Sequence, residues 1–353
     1  MGLRKVLVLL LVLGWASVHP ARAVGDISQN EARGRHQADR DTQRMLGNTG
    51  REMRQSPAST PNGKEWCYTE ADCGPLTWST LGFCNASRQS PVNINDSLAV
   101  FNSSLSALKF TGYGNVSQLL SITNLGHTVE VELAGGASIA GGGLQDVYSA
   151  VAFHFHWGNG SSQPGSEHRI NGKQFPMEMH IVHTKQGMNL TQAKKDPTGI
   201  AVLAFFLDVS EAASANAFLN LTSLLSSIRD PGSVPLNGSL SIDMLLEGVN
   251  RTSYYRYMGS LTIPTCDEAV VWTVFQNPIL VPSRVMDAFP AQLRSNATSE
   301  EPIFSVFRPP QPLGQRQVQT SVAKAVPGRG SSLCPAQALA LTLAFLAIVK
   351  GAA

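Results

Sequence analysis

Short runs of β-forming residues, separated by turn dipeptides, recur through the middle of this chain and constrain its fold more than any other feature. β-Branched and aromatic residues favour strands, and Asn-Gly, Gly-Gly and Asp-Pro dipeptides favour turns. One stretch, ANAFLNLTSLLSSI at 215–228, has apolar residues at three- and four-residue spacing and predicts a helix. The sequence therefore predicts a predominantly β fold with a few short helices. The predicted strand runs are LLSITNLGHTVEVEL (119–133), VAFHFHW (151–157), FPMEMHIVH (175–183), IAVLAFFLDV (200–209), GSLTIP (259–264) and AVVWTVF (269–275).

The N-terminal part of the chain differs in composition from this middle region. Residues 1–23 combine a basic start, an apolar run and an Ala-Arg-Ala site, which is the pattern of a cleaved secretory signal peptide. Residues 24–63 are polar, lack apolar periodicity and predict a disordered stem or linker. Residues 64–318 then form the predicted folded domain, a length that one domain can hold. The net charge of only +2 argues against a nucleic-acid partner.

Residues 319–353 predict a spacer and a lipid-anchor signal. A polar stretch of small residues at 321–332 precedes an apolar run at 338–349. This is the pattern of a glycosylphosphatidylinositol (GPI) attachment signal, whose hydrophobic tail is removed. A short transmembrane anchor is the alternative, although the apolar run is short for a bilayer span. We therefore expect a GPI-anchored protein at the outer face of the plasma membrane. The candidate attachment residues are Ser321, Gly328, Gly330 and Ser331.

Cysteines and glycosylation sequons both indicate the secretory pathway. Four cysteines lie in the folded body, and an even number in an oxidising compartment predicts two disulfides with three possible pairings. The local pairing is Cys67–Cys73, which leaves Cys84–Cys266 to close most of the domain. Ten Asn-x-Ser/Thr sequons predict exposed glycosylation sites, not all of which need be used. They begin at Asn85, Asn95, Asn102, Asn115, Asn159, Asn189, Asn220, Asn237, Asn250 and Asn296.

Two histidines stand two residues apart in the run VAFHFHW. Side chains alternate between the faces of a strand, so His154 and His156 point the same way. In MEMHIVH, His180 shares a face with Glu178, and antiparallel pairing of the two runs would bring His180 to the same site. Three imidazole nitrogens with an open fourth position describe a catalytic zinc site. A cupin barrel is an alternative architecture, in which Glu167 and His180 would follow the His-x-His pair.

Eight short sequence segments lie one after another within residues 65–318. They are SPVNI (90–94), NLGH (124–127), FHFHWG (153–158), GSEH (165–168), MEMHIVH (177–183), IAVLAF (200–205), YMGSLTIPTCDEAVVWTVF (257–275) and RPPQPLGQR (308–316). Together these blocks resemble the α-class carbonic anhydrases, and the cysteine pattern and anchor signal resemble the GPI-anchored, extracellular branch of that family. The resemblance implies a single domain with a large central, twisted, mostly antiparallel sheet and short surface helices.

The resemblance also implies a reaction and its machinery. The reaction is reversible hydration of CO2 to bicarbonate and a proton through a zinc-bound hydroxide, with bicarbonate transporters as possible neighbours and the protein as a monomer. The implied zinc ligands are His154, His156 and His180, with Glu178 orienting His180. Thr262 and Glu167 match the pair that orients the attacking group, and His127 matches the proton shuttle. Val182, Val202, Leu261, Val270 and Trp272 match the apolar CO2 pocket, whereas His168 and His183 match no catalytic position.

Four positions depart from the family pattern beside this intact metal core. Ala152 replaces a glutamine that accepts the second ring N–H of His154, and Ile263 replaces a threonine. Leu125 and Glu130 replace amides that hold water between zinc and shuttle. Loss of a ligand-orienting partner typically lowers metal affinity or activity ten- to a hundred-fold, so we expect a working but slower enzyme. The alternative is a glycosylated cell-surface binding protein on an impaired carbonic anhydrase scaffold.

Overall fold

The computed structural model describes residues 65–298 and 300–323. The predicted signal peptide, the predicted stem, and the candidate anchor residues Gly328, Gly330 and Ser331 lie outside the described residues. Within residues 65–298 and 300–323, no helix combines the length and the apolar character needed to cross a membrane. The domain boundaries and the anchor signal therefore stay predictions.

Strands dominate the described part of the chain. In chain order they are β1 Asn93–Ile94, β2 Val100–Phe101, β3 Leu108–Thr111, β4 Leu119–Asn124, β5 Val129–Leu133, β6 Ser138–Gly141, β7 Tyr148–Trp157, β8 Arg169–Ile170, β9 Lys173–Gln174, β10 Met177–Lys185, β11 Ile200–Val209, β12 Gly232–Pro235, β13 Tyr254–Gly259, β14 Val270–Phe275, β15 Ile279–Val281 and β16 Gln319–Thr320. The predominantly β fold predicted from the sequence is confirmed.

One large mixed sheet organises these strands. Its main path runs β12-β4-β5-β7-β10-β11-β14-β13-β16-β2, while β3, β6 and β15 join at its sides and β1, β8 and β9 form a small second sheet. Most neighbours in the large sheet are antiparallel, but β14 and β15 both pair parallel to β11, and β2 pairs parallel to β16. The two longest antiparallel contacts of β10, with β7 and β11, lie at the centre of the sheet and carry the candidate site.

Five of the six predicted strand runs lie in strands of the structure. The run at 119–133 is a hairpin of β4 and β5 whose turn passes through Gly126 at φ 83°, where a Cβ would lie 2.8 Å from the Ser295 carbonyl oxygen. The run at 259–264 is the exception, because β13 ends at Gly259. The prediction of a strand there is wrong. The segment is the loop between β13 and β14, where Pro264 has no N–H to donate and the disulfide-bonded Cys266 has a left-handed φ of 56°.

In the described part of the chain, four short α-helices accompany the sheet. They are α1 Leu190–Ala193, α2 Asn216–Thr222, α3 Ile242–Leu245 and α4 Ser283–Gln292, and single 3₁₀ turns span Trp78–Thr80, Asp96–Leu98, Val116–Gln118 and Leu225–Ile228. The helix predicted at 215–228 is therefore divided into α2 and a 3₁₀ turn. α4 was not predicted from the sequence, since Pro290 lies within it and reads as a helix breaker.

The two faces of the sheet bury different side chains. Phe153 and Phe155 belong to the larger apolar core, whereas a second core on the other face contains Val182, Val202 and Trp272. A third, smaller cluster joins Trp66 and Trp78 to the disulfide between Cys84 and Cys266. Since alternate residues of β7 face opposite ways, burial of the two phenylalanines directs His154 and His156 to the side of the second core.

Candidate metal centre

Three histidines meet at the centre of the sheet. In the antiparallel register of β7 and β10, His180 is directly opposite His154, and Glu178 is opposite His156. Directly opposed residues project to the same side of a sheet, so the register brings all three rings together. One ring nitrogen from each histidine lies within 4.8 Å of the other two, which is a spacing that can hold a metal ion. The antiparallel pairing expected from the sequence is therefore present.

The donor chemistry of these rings fits a divalent metal. Nε2 of His156 is buried and has no hydrogen-bond partner among the described residues, while its Nδ1 bonds to the carbonyl oxygen of Val306 at 2.9 Å. Nε2 of His180 bonds to Glu178 Oε1 at 2.6 Å. Donation from these outer nitrogens leaves the inner nitrogens with a lone pair. Burial also lowers the pKa values of His156 and His180, as well as that of His154 to about 3, so the rings are neutral.

His154 differs from the other two in its support. No residue in the described part of the chain forms a hydrogen bond with its ring, whose contacts are the edges of the His156 and His180 rings. Ala152, two residues earlier on β7, is fully buried and has only a methyl group to offer. Ala152 therefore offers no acceptor to His154, and among the described residues the His154 ring is held by packing and not by a hydrogen bond.

Glu178 is the best-satisfied polar group of the site. Its Oε2 accepts the backbone N–H groups of Glu167 and His168 at 2.8 Å each, and its Oε1 contacts ring nitrogens of His168 and His180 at 2.6 Å each. Burial raises the pKa of the carboxyl, but the two histidines more than compensate and hold the pKa well below its usual range. Glu178 is therefore an ionised, fully bonded acceptor that fixes the tautomer of His180.

His168 and His183 are buried structural histidines. His168 extends the Glu178 network, because its Nε2 bonds to the Tyr257 hydroxyl at 2.7 Å. Tyr257 in turn bonds to Ser90 at 2.9 Å. His183 points away from the site, where its Nε2 bonds to the Tyr113 hydroxyl at 2.6 Å. The role of His168 in holding Glu178 carried no sequence signal, since Tyr257 is 89 residues away.

Glu167 faces the inner nitrogens of the histidines. Its Oε1 accepts the backbone N–H of Arg308 at 2.8 Å, and its Oε2 lies 3.4 Å from Nε2 of His156. Burial raises the pKa of this carboxyl well above its usual value, while hydrogen bonding from Arg308 and Thr262 acts in the opposite direction. Oε2 itself has no hydrogen-bond partner among the described residues. A cation held by the three histidines would favour the ionised carboxylate.

A cavity of about 570 Å³ opens onto the three histidines. Of the five predicted pocket residues, Val182, Val202, Leu261 and Trp272 line it, whereas Val270 is buried behind them in the second core. Thr262, Leu125, Glu130 and Ile263 line it as well. The cavity has further lining residues that the sequence did not indicate, because they come from distant segments and carry no chemical signature of their own; they include Trp66, Tyr68, Leu190 and Lys194.

His127 lies on the cavity wall and packs against Trp66. The ring centroids are 4.7 Å apart at an angle of 66°. Burial lowers the pKa of His127 from its ordinary 6.5 to about 4, although a hydrogen bond with the Leu125 backbone acts in the other direction. In this position the ring is a weak base. The contact with Trp66 could not be read from the sequence, because 61 residues separate the two.

The cysteines and sequons also have defined positions. Disulfides join Cys67 to Cys73 and Cys84 to Cys266, the pairing that the local choice gives. Every sequon asparagine is exposed except Asn102, which is half-buried and donates to Gln319 at 3.0 Å. Ser321 is the candidate anchor residue that the structure describes, and its hydroxyl donates to the Thr252 carbonyl at 2.8 Å.

The described residues thus define a predominantly β protein in which three histidines that could hold a metal ion line a largely apolar cavity. A family model for the eukaryotic-type carbonic anhydrases matches residues 73–322. Similar curated proteins include mouse carbonic anhydrase 4, 39% identical over 79% of this chain and 90% of that protein, and mouse carbonic anhydrase 15, 36% identical over 79% and 90%. Human carbonic anhydrase 7 is 37% identical over 72% of this chain and 97% of its own length.

The chain therefore belongs to the eukaryotic-type carbonic anhydrase family. The resemblance inferred from the sequence blocks is confirmed, as is the interpretation of the chain as an enzyme of this family. The alternative cupin architecture is wrong.

Proposed function

We propose that this protein is a zinc enzyme that catalyses the reversible hydration of CO2 to bicarbonate and a proton. The observation that carries the proposal is the convergence of His154, His156 and His180 from two strands in one register. Three neutral nitrogen donors and an open position facing a cavity are the ligand set of catalytic zinc. Zinc in such a site acts as a Lewis acid and lowers the pKa of a water molecule to about 7, which is an established property of carbonic anhydrases.

The protein groups around the metal would orient the reactants. Glu167 accepts hydrogen bonds, so it favours the arrangement in which Thr262 donates its proton to Glu167. The Thr262 oxygen is then left as an acceptor toward the cavity, and a group that can donate a proton is held there in one orientation. We assign this orienting role to Thr262 and Glu167.

The apolar wall of the cavity would receive CO2. Val182, Val202 and Trp272 present no hydrogen-bonding group to the cavity, since the indole N–H of Trp272 donates to the Ser260 carbonyl at 3.0 Å. CO2 has no strong hydrogen-bonding handle and gains by leaving water for such a surface. Bicarbonate is charged and is disfavoured there, which promotes its release.

We assign the proton shuttle to His127, which lies on the wall between the metal centre and solvent. An imidazole can carry a proton near neutral pH only if its pKa is close to the ambient pH. Because the pKa of His127 is lowered to about 4 against Trp66, we expect this step to be slow. The departures at Ala152, Leu125, Glu130 and Ile263 support the same expectation of reduced activity.

We further propose that the enzyme acts at the outer cell surface, held by a GPI anchor. Two disulfides and the exposed sequons suit an oxidising, lumenal route. Of the four candidate attachment residues we favour Gly328, Gly330 and Ser331, because Ser321 is hydrogen-bonded to β13 and its preceding turn. Transporters of bicarbonate would be natural neighbours for such an enzyme.

Stopped-flow CO2 hydration by protein released from cells with a phosphatidylinositol-specific phospholipase tests these points together. We expect one zinc per chain, turnover above that of metal-depleted protein, and inhibition by a sulfonamide. Release by the phospholipase supports the anchor independently of catalysis. Zinc-loaded protein with no turnover would instead favour an impaired scaffold that acts as a cell-surface binding protein.

A further inference from the structure

Arg256 is a buried cation on the side of the sheet away from the metal centre. It lies in the middle of β13, paired with Thr273 of β14 and Gln319 of β16, and only 6% of it is exposed. Its neighbours at two-residue spacing, Tyr254 and Met258, belong to or pack against the larger core. Because side chains alternate along a strand, the guanidinium projects into that core.

The guanidinium has few partners for its five N–H donors. Its Nε donates to the Thr273 hydroxyl at 3.1 Å, and its Nη2 is buried without any acceptor in the described part of the chain. The nearest aromatic ring is that of Tyr254, 5.6 Å from Cζ. No carboxylate of the described residues lies within 4.0 Å of it, and burial lowers its pKa while only tyrosines act against that shift. An arginine stays protonated in proteins, so this is a buried charge with no carboxylate beside it among the described residues.

Arg308 shows how the same fold compensates a buried guanidinium. It is 3% exposed, and its Nη1 donates to Gln89 Oε1 at 2.8 Å and to the Ser90 carbonyl at 2.9 Å. Its Nη2 donates to the Cys84 carbonyl at 3.0 Å, and the charge of Glu167 acts on it. Among the described residues, Arg256 has one acceptor, the Thr273 hydroxyl, and no counterpart to this carboxylate.

A glycine turn lies beside the Arg256 head group. Gly142 and Gly143 both have left-handed φ values, of 55° and 77°. A Cβ on Gly143 would lie 3.8 Å from Nη1 of Arg256 and 2.9 Å from a methyl group of Leu105, and Gly143 itself is exposed. Gly143 therefore presents bare backbone beside the guanidinium at an exposed position of the turn.

We propose that Arg256 and the Gly142–Gly143 turn form a binding site for a small monovalent inorganic anion, of the chloride or bicarbonate class. A buried charge is tolerated when it is paired, and an anion beside Nη2 supplies the missing charge and acceptor together. The site lies across the sheet from the three histidines, so the anion stabilises the fold and does not compete at the metal centre. The proposal does not depend on the proposed catalytic function.

Thermal unfolding in sodium gluconate, chloride and bicarbonate at fixed ionic strength and pH tests this site. A ligand that binds only the folded state raises its stability, and at a hundred times its Kd we expect a rise in Tm on the order of 5 °C. We expect Arg256→Met to lose this rise and to be no less stable than wild type in gluconate. The matched control Arg284→Met removes an exposed positive charge from α4 and keeps the rise.

The two anion arms identify the natural ligand, because the better-bound anion acts at the lower concentration. An equal rise in wild type and Arg256→Met, or no difference between the anions and gluconate in wild type, would overturn the proposal. Should Arg256→Met fail to fold, bromide in wild-type crystals gives a second measurement. An anomalous peak at hydrogen-bond distance from Nη2 supports the site, and its absence there rejects it.

Discussion

Two ligands of the metal centre, His180 on β10 and His154 on β7, differ in the hydrogen bonds that hold their rings. On β10, His180 is bonded to a carboxylate, Glu178, that receives four hydrogen bonds and belongs to a chain reaching Tyr257 and Ser90. On β7, His154 has no hydrogen bond with any described residue, and Ala152 stands two positions before it. The comparison teaches that the ligand set and the polar shell around it are separable: the first is complete here, and the second supports His180 and, through the Val306 carbonyl, His156, but not His154.

This difference has a direct energetic reason. A buried carboxylate is stable only when its lone pairs are matched by donors, so the network around Glu178 must be complete or it destabilises the fold. The alanine at position 152 has no buried polar side-chain atom of its own to satisfy. The ring that it leaves without an acceptor, His154, is only half-buried, so the main effect falls on the orientation of that ring.

The largest expected effect comes from breaking the bonded side with Glu178→Gln. The amide places an NH2 group against partners that are themselves donors, so at least one buried hydrogen bond becomes a clash of donors. We expect zinc affinity to fall about ten- to a hundred-fold and the free energy of unfolding to fall by about 3 kcal/mol. Metal titration against a competing chelator and urea unfolding measure the two.

The control for this change is Glu132→Gln on β5. Glu132 accepts one hydrogen bond, from the Ser121 hydroxyl at 3.3 Å, and an amide oxygen can replace it. We expect that variant to keep wild-type zinc affinity. Wild-type affinity in Glu178→Gln as well would show that this network does not support the metal centre.

A smaller effect, in the opposite direction, comes from completing the weak side with Ala152→Gln. The new amide can accept the outer N–H of His154 from two residues away on the same face of β7. We expect zinc to dissociate about ten times more slowly and turnover to rise. Ala152→Met fills a similar volume without an acceptor, so it is the matched control. If zinc dissociates equally slowly from the glutamine and the methionine variants, packing and not hydrogen bonding orients His154.

Sequence reasoning succeeded on the metal centre because its determinants are local and periodic. Two histidines at two-residue spacing share a strand face, and antiparallel pairing with the run around His180, which the structure has, completes the set of three. The positions that depart from the family were visible only through the resemblance to that family. The predictions that failed depend on contacts that exist only in the folded chain. The loop at 259–264 leads into Cys266, which is disulfide-bonded to Cys84, and helix α4 contains Pro290, a residue that disfavours helix interiors.

Contacts between distant segments explain the remaining gaps. The bond from His168 to Tyr257 and the packing of Trp66 on His127 each join residues far apart in sequence. The lack of an acceptor for Nη2 of Arg256 also depends on segments that are distant in the sequence. Composition and periodicity say only that such residues are buried. Whether a buried histidine or arginine finds a partner depends on which turn or strand passes over it.

The smallest expected effect concerns His127, which lies on the weakly bonded side. A pKa lowered from 6.5 to about 4 makes protonation of this ring less favourable by about 3 kcal/mol at neutral pH. A proton released at neutral pH therefore reaches buffer more easily than it reaches His127. We expect His127→Ala to slow turnover in dilute buffer by less than about ten-fold, and imidazole to accelerate both proteins.

A variant without Trp66 tests whether burial against this side chain is what lowers the pKa of His127. Trp66→Ala exposes the His127 ring to water, which raises its pKa toward 6.5 because desolvation is the cause of the shift. We expect this variant to turn over faster than wild type in dilute buffer, and the gain to vanish in the double variant with His127→Ala. The ring's titration, followed by NMR, checks the pKa directly. A His127 pKa near 6.5 in the wild-type protein, with a large loss on His127→Ala, would mean that the ring leaves Trp66 during turnover and that this side of the site is less impaired than its hydrogen bonds indicate.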